Sequence, residues 1–572
     1  MSAADQAHVV GICLPAGAVS GRLNAEEAPM TSTSTCPMSS TQSSTQVNTA
    51  VCDAMDTRIM QIECGFTRGF AGMQLLGNTS EVCRDGKERA RVALESLGIN
   101  IPPRRLVVSL TPADVKKDGN QFDLPVAVSL ALLLTERTPM ISPVNWLFAA
   151  ELGLSGELRP VKGAVSFAVA AMAAGLAGVV VAPENYQEVA LTVGLSPHDS
   201  NRLQVLGLPN LKAVLAWIFG DVKPEIQAAA VATTETVQGI GPNFDDMILH
   251  PKLELAAVTA CAGMHSMLLR GAPGTGKSML AARLVSILPD LRRDQHIEAL
   301  RIHSMVSERL PAPLLAGRPP YRAPHHQASA AALIGGSETP GELALAHGGV
   351  LFLDELPEYR RDLLEALREP LEVGEVRVSR AKRKVVWKAG VVLVAACNNC
   401  PCGWAGSTRR ECRCGGNRLV AYQQRLSGPI LDRIDLHINV PEHRAESAAV
   451  FVDLDQGQAS KQTQRLQRIV QQARDIALQR NSQFGVEFNR DLPPQTLVAA
   501  SGLPHGDFAA LVNSIIPRTA SSRAVVRCLR VARTLADLRS QPVLERADIE
   551  QAWSWQAEPA ARDRGEMVHG LA

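Results

Sequence analysis

The sequence predicts an α/β protein whose largest domain is built round a parallel sheet, with a second α/β domain before it and helices after it. Three observations support this. Short, almost uncharged runs recur between stretches of helical periodicity, SMLLR at 266–270, GVLFLDEL at 349–356 and VVLVAAC at 391–397, as in strands buried on both faces. The first of them leads through a glycine-rich turn, 271–278, directly into the helical pattern MLAARLVSIL. Composition is that of a globular chain, 46% hydrophobic and 20% charged, which excludes a small disulfide scaffold and a wholly disordered polymer.

At ~100–200 residues per domain, 572 residues predict about three or four domains. Residues 1–55 are expected to be a disordered tail, because twelve of the twenty residues 31–50 are Ser or Thr and cannot bury enough apolar surface to offset ordering entropy. A chain start at Met30 or Met55 is the alternative. Residues 56–220 alternate strand and helix patterns: MQIECGF, the amphipathic ERARVALESLG, RRLVVSL, DLPVAVSLALLL and GVVVAP. The stretch from Gly163 to Pro183 carries no charge, but eight Ala and three Gly make it too weakly apolar for a membrane span. It reads as a small-residue helix, a Gly175 cap and a buried strand. Residues 221–243 form an Ala/Thr-rich linker, 244–441 the second α/β domain, and 442–572 a helical block. Its lines QRLQRIVQQARDIALQR and RAVVRCLRVARTLADL alternate apolar and basic positions as helix packing requires.

Lys+Arg 58 against Asp+Glu 57 leaves a net charge of +1, so contact with nucleic acid requires a local patch rather than a global field. The opening residues MSAADQAHVV lack the basic and apolar regions of a secretory leader, which points to a cytoplasmic protein. In that reducing compartment clustered cysteines suggest metal before disulfide. Cys400, Cys402, Cys412 and Cys414 form such a cluster, C-x-C-x9-C-x-C, within a polar, Gly-rich loop spanning 397–416. Four thiolates can close a tetrahedral Zn²⁺ site that folds a loop with no apolar core of its own. Cys397 could substitute for one ligand, and reactive surface thiols are the alternative reading.

Gly271-Ala272-Pro273-Gly274-Thr275-Gly276-Lys277-Ser278 matches G-x-x-x-x-G-K-[ST] and lies between a strand and a helix, where that motif binds phosphate. Its backbone N–H groups, with that of Met279 on the first helical turn, would receive the phosphate oxygens of ATP. Lys277 would reach the β/γ-phosphates and Ser278 would ligate Mg²⁺. Further on, an apolar strand ends in Asp354 and Glu355, the first suited to hold Mg²⁺ through water and the second to polarise an attacking water. Asn398 ends the strand VVLVAAC. Between the acids and this asparagine, EVRVSRAKRKVVWKAG reads as two strands with a turn at about 380–383, crowded by Arg377, Arg380, Lys382, Arg383, Lys384 and Lys388. This is either a solvated basic face or a track for a phosphate backbone.

Together with YRAPHHQASAAALIGG, PGELALAHGGVLFLDELPEYRRDLLEALREPLEVGEV, CPCG, RLSGPILDRIDL and VARTLADL, these motifs make the chain similar to the magnesium-chelatase-like ComM/YifB family of the AAA+ superfamily. The resemblance runs from about Met60 to Trp555. It implies a P-loop AAA+ ATPase core with a parallel sheet, an N-terminal Lon-protease-like α/β domain and a C-terminal helical lid. Asn398 resembles sensor 1, which orients the lytic water. Arg433 resembles an arginine finger inserted into the neighbouring subunit's site, although a plain ion pair with Asp432 or Asp435 is the alternative. Arg523 resembles sensor 2 on the lid, with Arg527 and Arg530 one or two turns away. A finger supplied in trans implies a homo-oligomeric ring, a hexamer in this superfamily, and the basic hairpin corresponds to one that points into the central pore. His325 and His326, in a segment resembling a second pore loop, are expected to be structural rather than metal ligands.

Two departures stand out. Leu249 and His250 occupy the positions of a family Gly-Gln near the adenine, and Asn399 stands where a Pro follows sensor 1. In the Lon-like segment, recognised from LTPADVKKDGNQFDLPVAV and ELGLSGELRPVKG, the nucleophile and base positions carry Asn120 and about Val165, so no Ser–Lys dyad is available and a nucleic-acid or subunit-docking role is expected. The resemblance implies a DNA motor acting on branched or single strands, a branch-migration helicase or a recombination and natural-transformation factor. A magnesium-chelatase-type ATPase that remodels a protein partner is the alternative, and a non-catalytic scaffold comes last.

Overall fold

The computed structural model describes residues 45–135, 137–196, 203–223, 241–247, 249–380, 383–425, 428–442 and 461–556. Most of the expected tail, all but six residues of the expected linker, and residues 443–460 and 557–572 of the helical block lie outside them. The tail expectation is corrected at its end, because Thr45–Asp53 form a strand, β1. Its Val47, Ala50 and Val51 are buried, and it lies between its neighbours in the middle of a seven-stranded sheet. Counting Ser and Thr across 31–50 hid this strand, since Thr is also a good strand former once its flanks are covered. A chain beginning at Met55 would lack it.

The first sheet comprises β1, β2 (Asp56–Thr67), β3 (Gly72–Leu76), β4 (Arg105–Thr111), β5 (Trp146–Ala149), β8 (Gly178–Val181) and β9 (Gln204–Gly207), in the order β3-β4-β2-β1-β5-β8-β9. A two-residue pair, β6 (Glu151–Leu152) and β7 (Leu158–Arg159), lies outside it. Helices Glu81–Ser96 and Asp123–Leu134 cover one face, and Ala164–Ala173 and Pro183–Leu195 the other. The uncharged stretch resolves into the expected helix, a left-handed Gly175 and strand β8. Among the described residues no helix is long and apolar enough to cross a membrane.

The second sheet is wholly parallel, in the order β11-β12-β15-β10-β16, from β10 (Met267–Arg270), β11 (Tyr321–Arg322), β12 (Val350–Leu353), β15 (Val392–Cys397) and β16 (Leu436–Asn439). Every residue of β12 and β15 is buried, as both-face burial requires. An antiparallel hairpin, β13 (Glu375–Arg380) and β14 (Arg383–Lys388), stands apart from it. Of the C-terminal helices, Gln462–Asn481, Ser522–Leu538 and Arg546–Ser554 share one hydrophobic cluster with helix Pro251–Gly263 and one face of this sheet.

The two sheets are joined through helix Arg293–Ser304. Val165, near which the Lon-like resemblance would place a lysine, is buried there against Ala299, Leu300, Leu310 and Leu314. Around this apolar contact Arg301 donates to Met55 O and Ser166 Oγ, Gly163 N donates to Ser304 O, and Asn185 Nδ2 donates to Glu308 O. Asn185 Nδ2 also donates at 2.9 Å to Glu188, a buried carboxyl that burial pushes up to about 8 against the opposing effect of this hydrogen bond. Its proton is held in the folded chain and released in the unfolded one between about pH 5 and 8, so stability falls as pH rises through that window, by at most ~1.4 kcal/mol per pH unit. Thermal unfolding of the wild type is expected at lower temperature at pH 8 than at pH 6, and Glu188→Gln to remove most of the difference. An equal shift in both proteins would place its source elsewhere.

Candidate functional site

Strand β10 delivers residues 271–276 at its C-terminal end, and helix Lys277–Leu284 begins as the glycine turn ends. Gly274 and Gly276 have φ of +74° and +86°, backbone that a side chain would strain. Thr275 Oγ1 closes the turn on Ala272 O at 3.0 Å. Lys277 is nearly buried; its Nζ donates to Gly271 O, Ala272 O and, at 3.1 Å, Asn398 Oδ1, and burial pushes the ammonium below its usual range. The side chain of Met279 is half exposed.

Strand β15 pairs with both β10 and β12, which sets Asn398 at its tip between the glycine turn and the two acids. Ser278 Oγ donates to Asp354 Oδ2 at 2.8 Å, and Asp354 Oδ1 accepts the Glu355 N–H. A hydroxyl and a carboxylate in contact are the hard oxygen ligands that suit Mg²⁺. Glu355 itself sits at φ +50°, uncommon for a side-chain-bearing residue, and its carboxylate is more than half exposed. His326 Nδ1 lies 3.6 Å from Glu355 Oε2, with the His325 ring against its own at 4.1 Å.

Arg433 lies at the opposite end of the sheet. It precedes β16, and its neighbour Asp435 hydrogen-bonds to Ser266, the residue before β10, so one strand length separates it from its own glycine turn. The alternative of an ion pair with Asp432 or Asp435 is corrected: Arg433 Nη2 meets Glu372 at 2.9 Å and Nε donates to Arg368 O, while Asp435 is engaged by Ser266 and His265. Arg523 is likewise not beside Lys277. It lines, with Arg433 and Glu372, a cavity of about 600 Å³ at the N-terminal ends of β10 and β15. Arg527 and Arg530 also line it but are spent on backbone carbonyls, those of Asp432 and Leu431 and that of Leu492; Arg523 is the exposed arginine of this helix there.

The four loop cysteines converge. Their Sγ atoms lie within 4.8 Å of one another, with Cys400–Cys402 at 3.3 Å and Cys412 at 3.6 Å from both. Four thiolates round a tetrahedral Zn²⁺ stand about 3.8 Å apart, so donor set and spacing fit that ion. Cys397 is not of the group; it is buried at the end of β15, with its thiol pushed up by burial. Asn399 props the loop by donating to Ala405 O. Gly403, at φ +85°, lies so close to the glycine turn that a Cβ there would come 2.5 Å from Pro273 Cγ.

Comparison with known proteins places the chain in a family. The family described as "Magnesium chelatase, subunit ChlI" matches residues 243–448, "Subunit ChlI of Mg-chelatase" residues 62–185, and "Magnesium chelatase, subunit ChlI C-terminal" residues 460–556. The Uncharacterized protein YifB of Escherichia coli is 33% identical over 87% of this chain and 94% of its own. The Competence protein ComM of Haemophilus influenzae is 33% identical over the same shares. The chain belongs to the ComM/YifB magnesium-chelatase-like family. An uncharacterized protein of Mycobacterium tuberculosis is 34% identical over 86% of this chain and 94% of its own.

Against that family pattern the departures have local roles. His250 Nδ1 caps helix Pro251–Gly263 by accepting the Lys252 N–H, and Leu249 is buried in the hydrophobic cluster behind the turn. Sequence reasoning missed the His326 contact with Glu355, the Glu372 partner of Arg433 and the fit of Gly403 against Pro273. Each joins residues from separate loops, and none is signalled by spacing.

Proposed function

We propose that this protein is an ATP-driven AAA+ ring motor acting on DNA. The observation that carries the ring is the separation of two half-sites: phosphate turn, Mg²⁺ ligands and Asn398 at one end of a parallel sheet, Arg433 and Arg523 at the other. One subunit's arginines then complete the next subunit's pocket. In this reading bound Mg·ATP supplies the transferable phosphoryl group. The backbone of 271–279 and Lys277 would bind its phosphates, Ser278 and Asp354 would hold the metal, and Glu355 would take the proton of a water oriented by Asn398. Arg433 and Arg523 stabilise the developing charge from across the interface; a finger in trans is worth ~10³–10⁵ in rate. Cys400, Cys402, Cys412 and Cys414 would hold a structural Zn²⁺, which would tie the segment after Asn398 into a compact knuckle.

DNA as substrate is favoured by the hairpin. Val376, Val385 and Trp387 anchor its inner face, with Trp387 Nε1 bonded to Gly336 O, and Arg377 and Lys384 are exposed on the other face. Arg377 and Lys388 meet Glu375 at the base. Lys382 at the turn lies outside the described residues. The name of the Haemophilus influenzae relative points to competence, and so to recombination of incoming strands. A protein-remodelling ATPase is the second reading, favoured by the magnesium chelatase descriptions of the matching families.

Glu355→Gln should abolish ATP hydrolysis and keep nucleotide binding. Arg433→Ala and Lys277→Ala should each be inactive alone and regain turnover when mixed, because mixed rings pair an intact pocket with an intact finger; absence of rescue in rings shown to form would remove the trans finger.

Reversing Arg380, Lys382 and Arg383 to Glu should abolish DNA-stimulated turnover, spare basal ATPase, and flatten the salt dependence of DNA binding by roughly 0.7–0.9 in log–log slope per lost contact. Full stimulation with an unchanged slope would favour the protein-remodelling reading.

Metal analysis of protein purified under reducing conditions should find about one Zn²⁺ per chain, lost when Cys402 and Cys412 are both changed to Ser. Zinc retained in that variant would place the metal elsewhere.

A further inference from the structure

The turn that carries Arg433 is tied to the C-terminal helices by a run of buried polar groups that hydrolysis itself does not require. His265, fully buried, follows helix Pro251–Gly263. Its Nε2 lies 2.8 Å from Thr534 Oγ1 on helix Ser522–Leu538, and its Nδ1 3.5 Å from Asp435 Oδ2. That same Asp435 oxygen accepts the N–H of Ser266 at 3.0 Å and its hydroxyl at 3.1 Å, and Ser266 Oγ reaches Arg433 O at 2.8 Å. On the other side Asn489 Nδ2 donates to Thr534 Oγ1 and to Asp537, which is paired with Arg480 and Arg533. Room for the ring is built in: a Cβ on Gly263 would come 2.3 Å from His265 Nε2.

A polar ring at this depth costs free energy unless both nitrogens face partners, and in a low-dielectric interior such contacts are strong and directional. Burial alone would raise the Asp435 carboxyl, yet His265 and the Ser266 N–H hold it below the usual carboxylate range. Nε2 is hydrogen-bonded to Thr534 Oγ1, while Nδ1 faces Asp435 across 3.5 Å, an ion-pair distance rather than a hydrogen bond. The helix it grips also carries Arg523, so one joint sets the attitude of both arginines on this face.

We propose that His265 is a positioning residue for Arg433, locking the 433–435 turn to helix Ser522–Leu538 so that the placement of that helix sets the reach of the arginine into the neighbouring subunit. The proposal rests on Arg433 acting in trans.

Two isosteric substitutions test it. Asn at 265 puts its amide where Nδ1 stands and keeps a polar group facing Asp435; Gln puts its amide where Nε2 stands, keeps the Thr534 contact and leaves Asp435 without its ring partner. We expect His265→Asn to retain most ATP turnover and His265→Gln to lose at least about tenfold, both with wild-type nucleotide affinity and ring assembly. His265→Gln should be rescued by mixing with Lys277→Ala, which brings a sound finger, and not with Arg433→Ala, which lacks one. Equal turnover in the two variants, loss of nucleotide affinity or assembly in His265→Gln, or its rescue by Arg433→Ala would overturn the proposal. If Lys277→Ala and Arg433→Ala fail to rescue each other, the trans reading falls and takes this one with it. If those two rescue each other but Lys277→Ala does not rescue His265→Gln, only the role of His265 falls.

Discussion

Five strands running in one direction divide the second sheet into two chemically different rims, and the rest of the site depends on that polarity. Loops leaving the C-terminal ends of β10, β12 and β15 bring Lys277, Asp354 and Asn398 together, because β15 lies between the other two. Segments entering the N-terminal ends bring Arg433 and, from the packed helices, Arg523. A strand of four residues is rigid and ~13 Å long, so no side-chain motion merges the rims within one chain. Sheet direction therefore makes assembly a condition of the proposed chemistry.

The same rims explain why so many cations near the proposed interface are already engaged. Arg527 and Arg530 satisfy backbone carbonyls at the ends of short helical segments, which a buried polar backbone requires. Glu372 holds Arg433 from the same side. An ion pair that is mostly exposed on the carboxylate side is worth little, ~0–1 kcal/mol, so it can orient a guanidinium without trapping it.

Legibility in the sequence followed how local each feature is. The glycine turn, the paired acids and the cysteine array are contiguous patterns, and the structure brings each set together as its spacing suggests. The strand Thr45–Asp53 was obscured because its burial comes from β2 and β5, which composition cannot see. The rim occupied by Arg523 was equally invisible: helical periodicity shows that a helix packs, not upon which end of a sheet. Partners such as Glu372, His326 and His265 are ordinary residues in sequence and acquire their roles from loops that meet only after folding.

Gly403 and Pro273 belong to loops more than a hundred residues apart, yet the space between them has no room for a methyl group. Gly403 cannot drift alone: any side chain there demands a retreat at Pro273, and a retreat there disturbs the turn proposed to bind phosphate. The cysteine loop and the glycine turn are thus a single part split across two stretches of chain.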